Sequence, residues 1–539
     1  MRPFGPRSVA AVLAAAALLL TACGGGGDAA TSAAGGDAGA PQPGGTLTFA
    51  VGSDAGCVDP QQVASNDTIY SVRQLVDSLT DQDPDTGEIT PWLAESWTSN
   101  ADASAWTFTL RPGVTFSDGT PLDAQAVKAN FDRVPQLGVR GNLPKSYLSG
   151  YQATTVDGPL QFTVTFGGPN VQFLQGTSTH SLGILSPATA AASDDERCAQ
   201  VVGSGPFVLD SYTPNSSIVL AKRPGYAWGS SLWEHKGEAH LDRLDFQIVP
   251  ESGVRAGSLQ SGEVDAIGNI GPQDEAPLQA AGAQLLARAN PGIAFGLAFN
   301  QARPLGADPA VREAVSWAIN RPEVVSAVYT SQTKPATSVL SSTTPDHAPQ
   351  DALLGFDAAK AASVLDAGGW AAGPDGIRAK GGQRLTFEIT YANNAASNKP
   401  ALELVQQQLR AAGIEVALAE RPIADFATIQ QSGEFEALWF NLTRADPDVL
   451  RTTFSTKLAN VYRLPPGPLD DLLDGQAAAV DPATRSDLVG QAQQQLLSDY
   501  GVVPVAELTT TLAVGADVHG VRYDASSRIH LFDAWKQSA

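Results

Sequence analysis

The stretch from Arg384 to Leu418 limits what this chain can fold into more tightly than any other. Leu385, Phe387, Ile389 and Tyr391 alternate with their neighbours at the period of a strand with one buried face. Leu402, Val405, Leu409 and Ala412 then recur at helical spacing, and Gly413 ends the run. Ile414, Val416 and Leu418 alternate again. Strand, helix and strand in that order predict a βαβ unit, hence parallel strands and an α/β fold. The unit is a small part of 539 residues, and at roughly 100–200 residues per domain the chain holds more than one. A hydrophobic fraction of 43% supplies the cores. A formal net charge of −22 excludes a nucleic-acid or anionic-membrane surface, because phosphate recognition needs clustered Lys and Arg.

A second run, Phe435 to Phe454, carries the richest chemistry. Leu438, Phe440 and Leu442 on one face and Ala437 and Trp439 on the other predict a strand apolar on both sides, central in its sheet. Its carboxyl end delivers Thr443, Arg444, Ala445 and Asp446 to the edge where open α/β sheets bind ligands. Asp446, Arg444 and Trp439 each have a structural alternative. Asp446 followed by Pro447 also suits the start of a helix from Asp448 to Phe454. Arg444 suits a carboxylate, either on a ligand or in an internal ion pair. Trp439 suits a core position or the wall of a cleft.

Catalytic signatures are missing from the sequence: no G-x-S-x-G elbow, phosphate-loop lysine motif, H-E-x-x-H or C-x-x-C. Ser178 and His180 in GTSTH are too close in sequence to face each other as nucleophile and base. Glu234, His235, Glu238 and His240 read as a solvated loop, since their spacing fits no fixed metal geometry. No catalytic residue, metal or cofactor is expected.

The amino terminus places Arg2 and Arg7 before an apolar run from Val9 to Leu20, the pattern of an export signal too short to span a bilayer. Its end, Leu20-Thr21-Ala22-Cys23, resembles the bacterial lipobox. That resemblance implies a signal peptide over residues 1–22, lipid on Cys23, and a mature protein anchored to the outer face of the cell membrane. Residues 23–44, rich in Gly, Ala, Ser and Asp, read as a flexible tether. Cys57 and Cys198 remain, and in an oxidising compartment they are expected to pair.

Between Gly87 and Val134 the chain reads GEITPWLAESWTSNADASAWTFTLRPGVTFSDGTPLDAQAVKANFDRV. Thr107–Leu110 and Val114–Phe116 alternate about Arg111-Pro112-Gly113, which predicts a hairpin. Val127, Phe131 and Val134 then follow Asp123 as the face of a capped helix. These residues resemble the signature of family 5 of the bacterial extracellular solute-binding proteins, the peptide/nickel class of ABC-importer lipoproteins. Val58-Asp59-Pro60, Gly203-Ser204-Gly205-Pro206-Phe207, the turn at Gly262-Glu263-Val264-Asp265 and VREAVSWAINR from Val311 also resemble that family's segments.

The resemblance implies an α/β periplasmic-binding-protein-like fold, with two lobes around a hinge cleft and an extra third subdomain. Lobe I is expected over residues 45–74, 199–288 and 505–539, the subdomain over 75–198, and lobe II over 289–504. It implies a monomer that captures a small organic solute, peptide-like or other, and delivers it to an ABC permease and its ATPase subunits. The ligand residues it implies are Trp439, Asn441, Thr443, Arg444 and Asp446, with Tyr70 as a cleft aromatic. Peptide-binding members place an amine-gripping aspartate three residues before an acidic residue–proline pair. Here that position is Thr443, ahead of Asp446-Pro447, so the amine anchor is missing or moved. Two other functions fit the residues: an exported hydrolase with a carboxylate pair, or a sensory lipoprotein that keeps the fold without transport.

Overall fold

A computed structural model describes residues 40–537. The signal peptide, Cys23 and nearly all of the tether lie outside the described residues. Among those described, no helix is long and apolar enough to cross a membrane.

Two sheets and an insertion organise the chain. The first sheet has seven strands, in the order Gln284–Ala289, Thr509–Val514, Ala266–Ile267, Thr46–Val51, Arg243–Ile248, Ser217–Lys222 and Phe207–Thr213. Thr46–Val51 runs parallel to both neighbours. Leu47 and Phe49 point into the core, where Phe49 stacks on Phe246 at 5.6 Å. The second sheet has five strands, in the order Glu415–Arg421, Thr386–Ala392, Ala437–Thr443, Gly292–Phe299 and Val502–Ala506. Its parallel pair, Thr386–Ala392 with Glu415–Arg421, is linked by the helix Asn398–Ala411, as the alternation around Gly413 predicts. Ala437–Thr443 is the central strand.

The insertion carries a four-stranded antiparallel sheet, in the order Ala94–Ser99, Ala105–Leu110, Gln161–Phe166 and Tyr151–Gly158. This corrects the expected hairpin. Ala105–Leu110 pairs with Ala94–Ser99 and Gln161–Phe166, not with Val114–Phe116. Val114 and Phe116 alternate because both fill the core from a turn closed by Phe116 N to Thr120 O and Leu122 N to Val114 O. The helix Ala124–Arg133 does start where expected, with Asp123 accepting from Ala126 N.

The chain enters the insertion past Leu75 and leaves it at Gly203–Gly205, and the two crossings touch. A Cβ on Gly203 would lie 1.9 Å from Leu75 O, and one on Gly205 2.5 Å from Leu75 C, so only glycine admits this approach. Cys57, after the first strand, is joined by a disulfide to Cys198 on the helix Asp194–Ala199. Two connections link the sheets: Asn290-Pro291, and Glu507-Leu508 on the return. Val502–Ala506 is wholly buried beside Gly292–Phe299. The second sheet therefore keeps the chain through Ala506, past the expected boundary at 504.

Candidate functional site

The central strand of the second sheet outruns its neighbour. Its pairing with Thr386–Ala392 ends at Tyr391–Trp439, so Phe440 to Thr443 have no strand on that side. There, at the carboxyl ends of two parallel strands, opens a cavity of about 360 Å³. Phe295 and Trp439 form one wall, stacked at 5.5 Å and 13°. The Trp439 indole is oriented by donating Nε1–H to Asn398 Oδ1 at 3.1 Å. Asn398, at the first turn of its helix, is itself fixed by donating Nδ2–H to Ala392 O at 2.9 Å. Phe440 and Tyr462, 5.1 Å apart, form another wall. Ile423 and Leu442, 53% and 39% exposed, stand at the mouth.

The polar groups inside are amides and hydroxyls. Asn394, Gln430 and Asn441 line the space, and the Thr453 Oγ1 is buried there without a partner. Burial pushes the Tyr462 phenol well above its ordinary value, keeping it a neutral donor. No lining residue is charged. Such a cavity can desolvate an uncharged portion of a small organic molecule against aromatic faces and orient it with a few hydrogen bonds.

Of the six ligand residues expected from sequence, Trp439 and Asn441 line this cavity and the other four do not. Thr443 sits at the hinge. Its Oγ1 accepts from Asn290 Nδ2 at 3.4 Å, and Asn290 Oδ1 accepts from Thr510 Oγ1 at 2.6 Å. Opposite Thr443, Gly292 has φ +108, and a Cβ there would lie 2.1 Å from Leu442 O. Close by, Glu507 accepts from Ser342 N and Oγ at 3.0 and 2.6 Å and pins the second connection; burial raises its pKa.

Arg444 points at the insertion, donating to Ser146 Oγ at 2.7 Å and Gln172 Oε1 at 3.4 Å above the ring of Tyr147. It forms no ion pair with a described residue. Asp446 is held by Arg485, at 2.6 and 3.1 Å, and by the main-chain N–H of Asp448 at 2.8 Å. Tyr70 is fully buried in lobe I, 5.8 Å from Phe49. Ser178 donates its hydroxyl to Gln175 O and not to His180. His235 has both ring nitrogens engaged, by Asp533 Oδ1 at 2.7 Å and Glu238 O at 2.8 Å. Among the described residues, no cluster of His, Cys, Asp and Glu has the makings of a metal site.

Two α/β lobes joined by paired connections, with an antiparallel insertion, define the periplasmic-binding-protein class, and solved structures of that class share the fold. The model of the bacterial extracellular solute-binding proteins, family 5 Middle, matches residues 88–459, and the chain belongs to that family. Relatives include the nickel-binding periplasmic protein of Escherichia coli K12, 28% identical over 65% of this chain and 66% of that protein. The glutathione-binding protein GsiB of Shigella dysenteriae is 26% identical over 85% of this chain and 88% of its own. The crystal structure of NikA from Brucella suis in complex with Fe(III)-EDTA superposes with a TM-score of 0.79 at 24% identity, covering 92% of this chain and all of that one.

Proposed function

We propose that this protein is the substrate-binding lipoprotein of an ABC importer, capturing a small organic solute by closure of its two lobes and passing it to a membrane permease with ATPase subunits. The observation that carries the reading is the charge-free, aromatic-walled cavity at the carboxyl ends of the parallel strands, beside a hinge of two connections. Ligand that prefers the closed state biases the hinge toward it. Lipid on Cys23 and the tether would hold a monomeric receptor at the outer face of the membrane, and the function is non-enzymatic.

The cavity also bears on cargo. With no carboxylate, imidazole or thiol lining it, it offers no ligand to a bare metal ion and no partner to a free ammonium. Asp446, the acid nearest the expected amine anchor, is spent on Arg485. Metal would therefore enter only inside an organic chelate, and a peptide without reliance on its α-amine.

A thermal-shift screen of small solutes, run beside a hydrolase substrate panel, tests the reading. At least one solute is expected to raise the melting temperature saturably, since ligand bound only by the folded state stabilises it. Turnover of a panel substrate would favour the hydrolase. For a solute found this way, Asn441→Ala and Tyr462→Phe are each expected to weaken binding about tenfold, one hydrogen bond's worth, in calorimetry. Unchanged affinity in both would remove the cavity from the site.

A further inference from the structure

Buried polar atoms almost always have hydrogen-bond partners, so a concentration of orphans marks a place awaiting one. Such a concentration lies where three segments meet on the lobe I side of the hinge. Arg73 and Gln74, at the end of the helix Asn66–Val72, join the loop Ser178–His180 to the segment Ile529–Leu531. Arg73 donates Nη2–H to Ser178 O at 3.5 Å and Nε–H to His530 Nε2 at 3.4 Å, and Gln74 donates to Ile529 O at 2.9 Å. In this junction both amide atoms of Gln175 and the Nε of Arg528 are buried without a partner, while the Tyr70 hydroxyl lies beside Thr510 and the His180 ring beside the main chain of Val63.

Arg528 stands out. The residue is 5% exposed, and its guanidinium makes no hydrogen bond or ion pair with any described residue. No carboxylate among the described residues makes a hydrogen bond or ion pair with that guanidinium, although Asp524, in the same turn, acts through space on Tyr70 and Arg73. Asp524 Oδ1 accepts from the main-chain N–H of Ser526 and of Arg528. Asp67 accepts from Ser53 Oγ and Asn269 Nδ2. Asp77 accepts from Tyr226 Oη and Trp228 Nε1. Burial, with Arg528 and Arg73 nearby, holds the His180 imidazole well below its ordinary value, so it adds no charge. The same loop touches the hinge through Ser527 Oγ, which donates to Ala289 O at 2.8 Å.

We propose that Arg528, flanked by Tyr70 and His180, anchors a carboxylate of the captured solute, so that the substrate class is a small organic acid. The inference rests on the solute-binding reading and deepens it. A guanidinium fork matches a carboxylate bidentately, and the unpartnered Gln175 amide supplies a further donor. An anion brought within reach of a buried guanidinium that makes no hydrogen bond gains a charge-assisted pair there. The uncharged remainder of the acid would be held by lobe II.

Protein refolded from denaturant, and so stripped of solute, provides the test. Wild type and Arg528→Gln are melted with citrate, glutarate, glutathione and tripeptide acids, each paired with its amide, and with neutral oligosaccharides. At least one acid should stabilise wild type where its amide does not, and Arg528→Gln should weaken that acid at least about tenfold. Without solute, Arg528→Gln should melt no lower than wild type, because it removes a buried charge that has no partner. A clear fall in that melting temperature assigns Arg528 a structural role and overturns the proposal. Amides binding as well as acids, or only oligosaccharides binding, overturn it while leaving the solute-binding reading intact. No shift with any compound overturns the carboxylate assignment and counts against capture itself.

Discussion

Arg485→Met is expected to lower the free energy of unfolding by about 3–5 kcal/mol, the scale for removing one partner of a buried ion pair. Arg485 and Asp446 side chains are 13% and 7% exposed and meet in a fork of two hydrogen bonds. Asp448 is buried alongside, held by Arg451 at 2.7 and 2.9 Å and by Gln476, and burial raises its pKa. Without Arg485, two buried carboxylates share one guanidinium. Adding Asp446→Asn should recover part of the loss, so the double-mutant cycle in urea is expected to be strongly non-additive. Unchanged stability with lost solute binding would instead make Asp446 a ligand contact.

Replacing both Cys57 and Cys198 with Ala is expected to cost about 2–5 kcal/mol, near the upper end because the bridged residues are so far apart in sequence. Their separation is 141 residues, and the bridge ties the loop after the first strand to the insertion. Its surroundings are equally fixed. Val58 N–H donates to Cys198 O at 3.0 Å, and Arg197 pairs with Asp59 at 2.8 Å, both side chains fully buried. Thermal melting with and without reductant measures the effect. Equal melting curves would show that the bridge adds nothing to the fold.

Periodicity revealed those parts of the fold that are made locally. The unit around Arg384–Leu418 was legible because its strands and helix each bury one face, and that burial writes the period into the sequence. The hairpin at Thr107–Phe116 was misread for a related reason. Val114 and Phe116 are apolar because they are buried, and burial does not require a strand. The true partner, Ala94–Ser99, is largely exposed and alternates weakly. Of the residues lining the candidate cavity, Trp439 and Asn441 could be named from sequence because they lie on a central strand, and α/β sheets place ligands at the carboxyl ends of such strands. Tyr462 comes from a turn, Ile423 from the 3-10 turn Ile423–Asp425 and Phe426 from the helix Phe426–Ser432, and they meet those two only in three dimensions. Asp446 looked available because Arg485, its partner, lies 39 residues away on the helix Pro482–Ser498. Arg528 was invisible for the opposite reason, since nothing in a sequence marks a cation that lacks a partner.

Native mass spectrometry of protein exported by cells grown in rich medium tests capture of a small organic solute most directly. One small organic molecule per chain, released on denaturation and depleted in Asn441→Ala and Tyr462→Phe, is the predicted result. Bare protein, or a mixture of adducts retained equally by both variants, would contradict it.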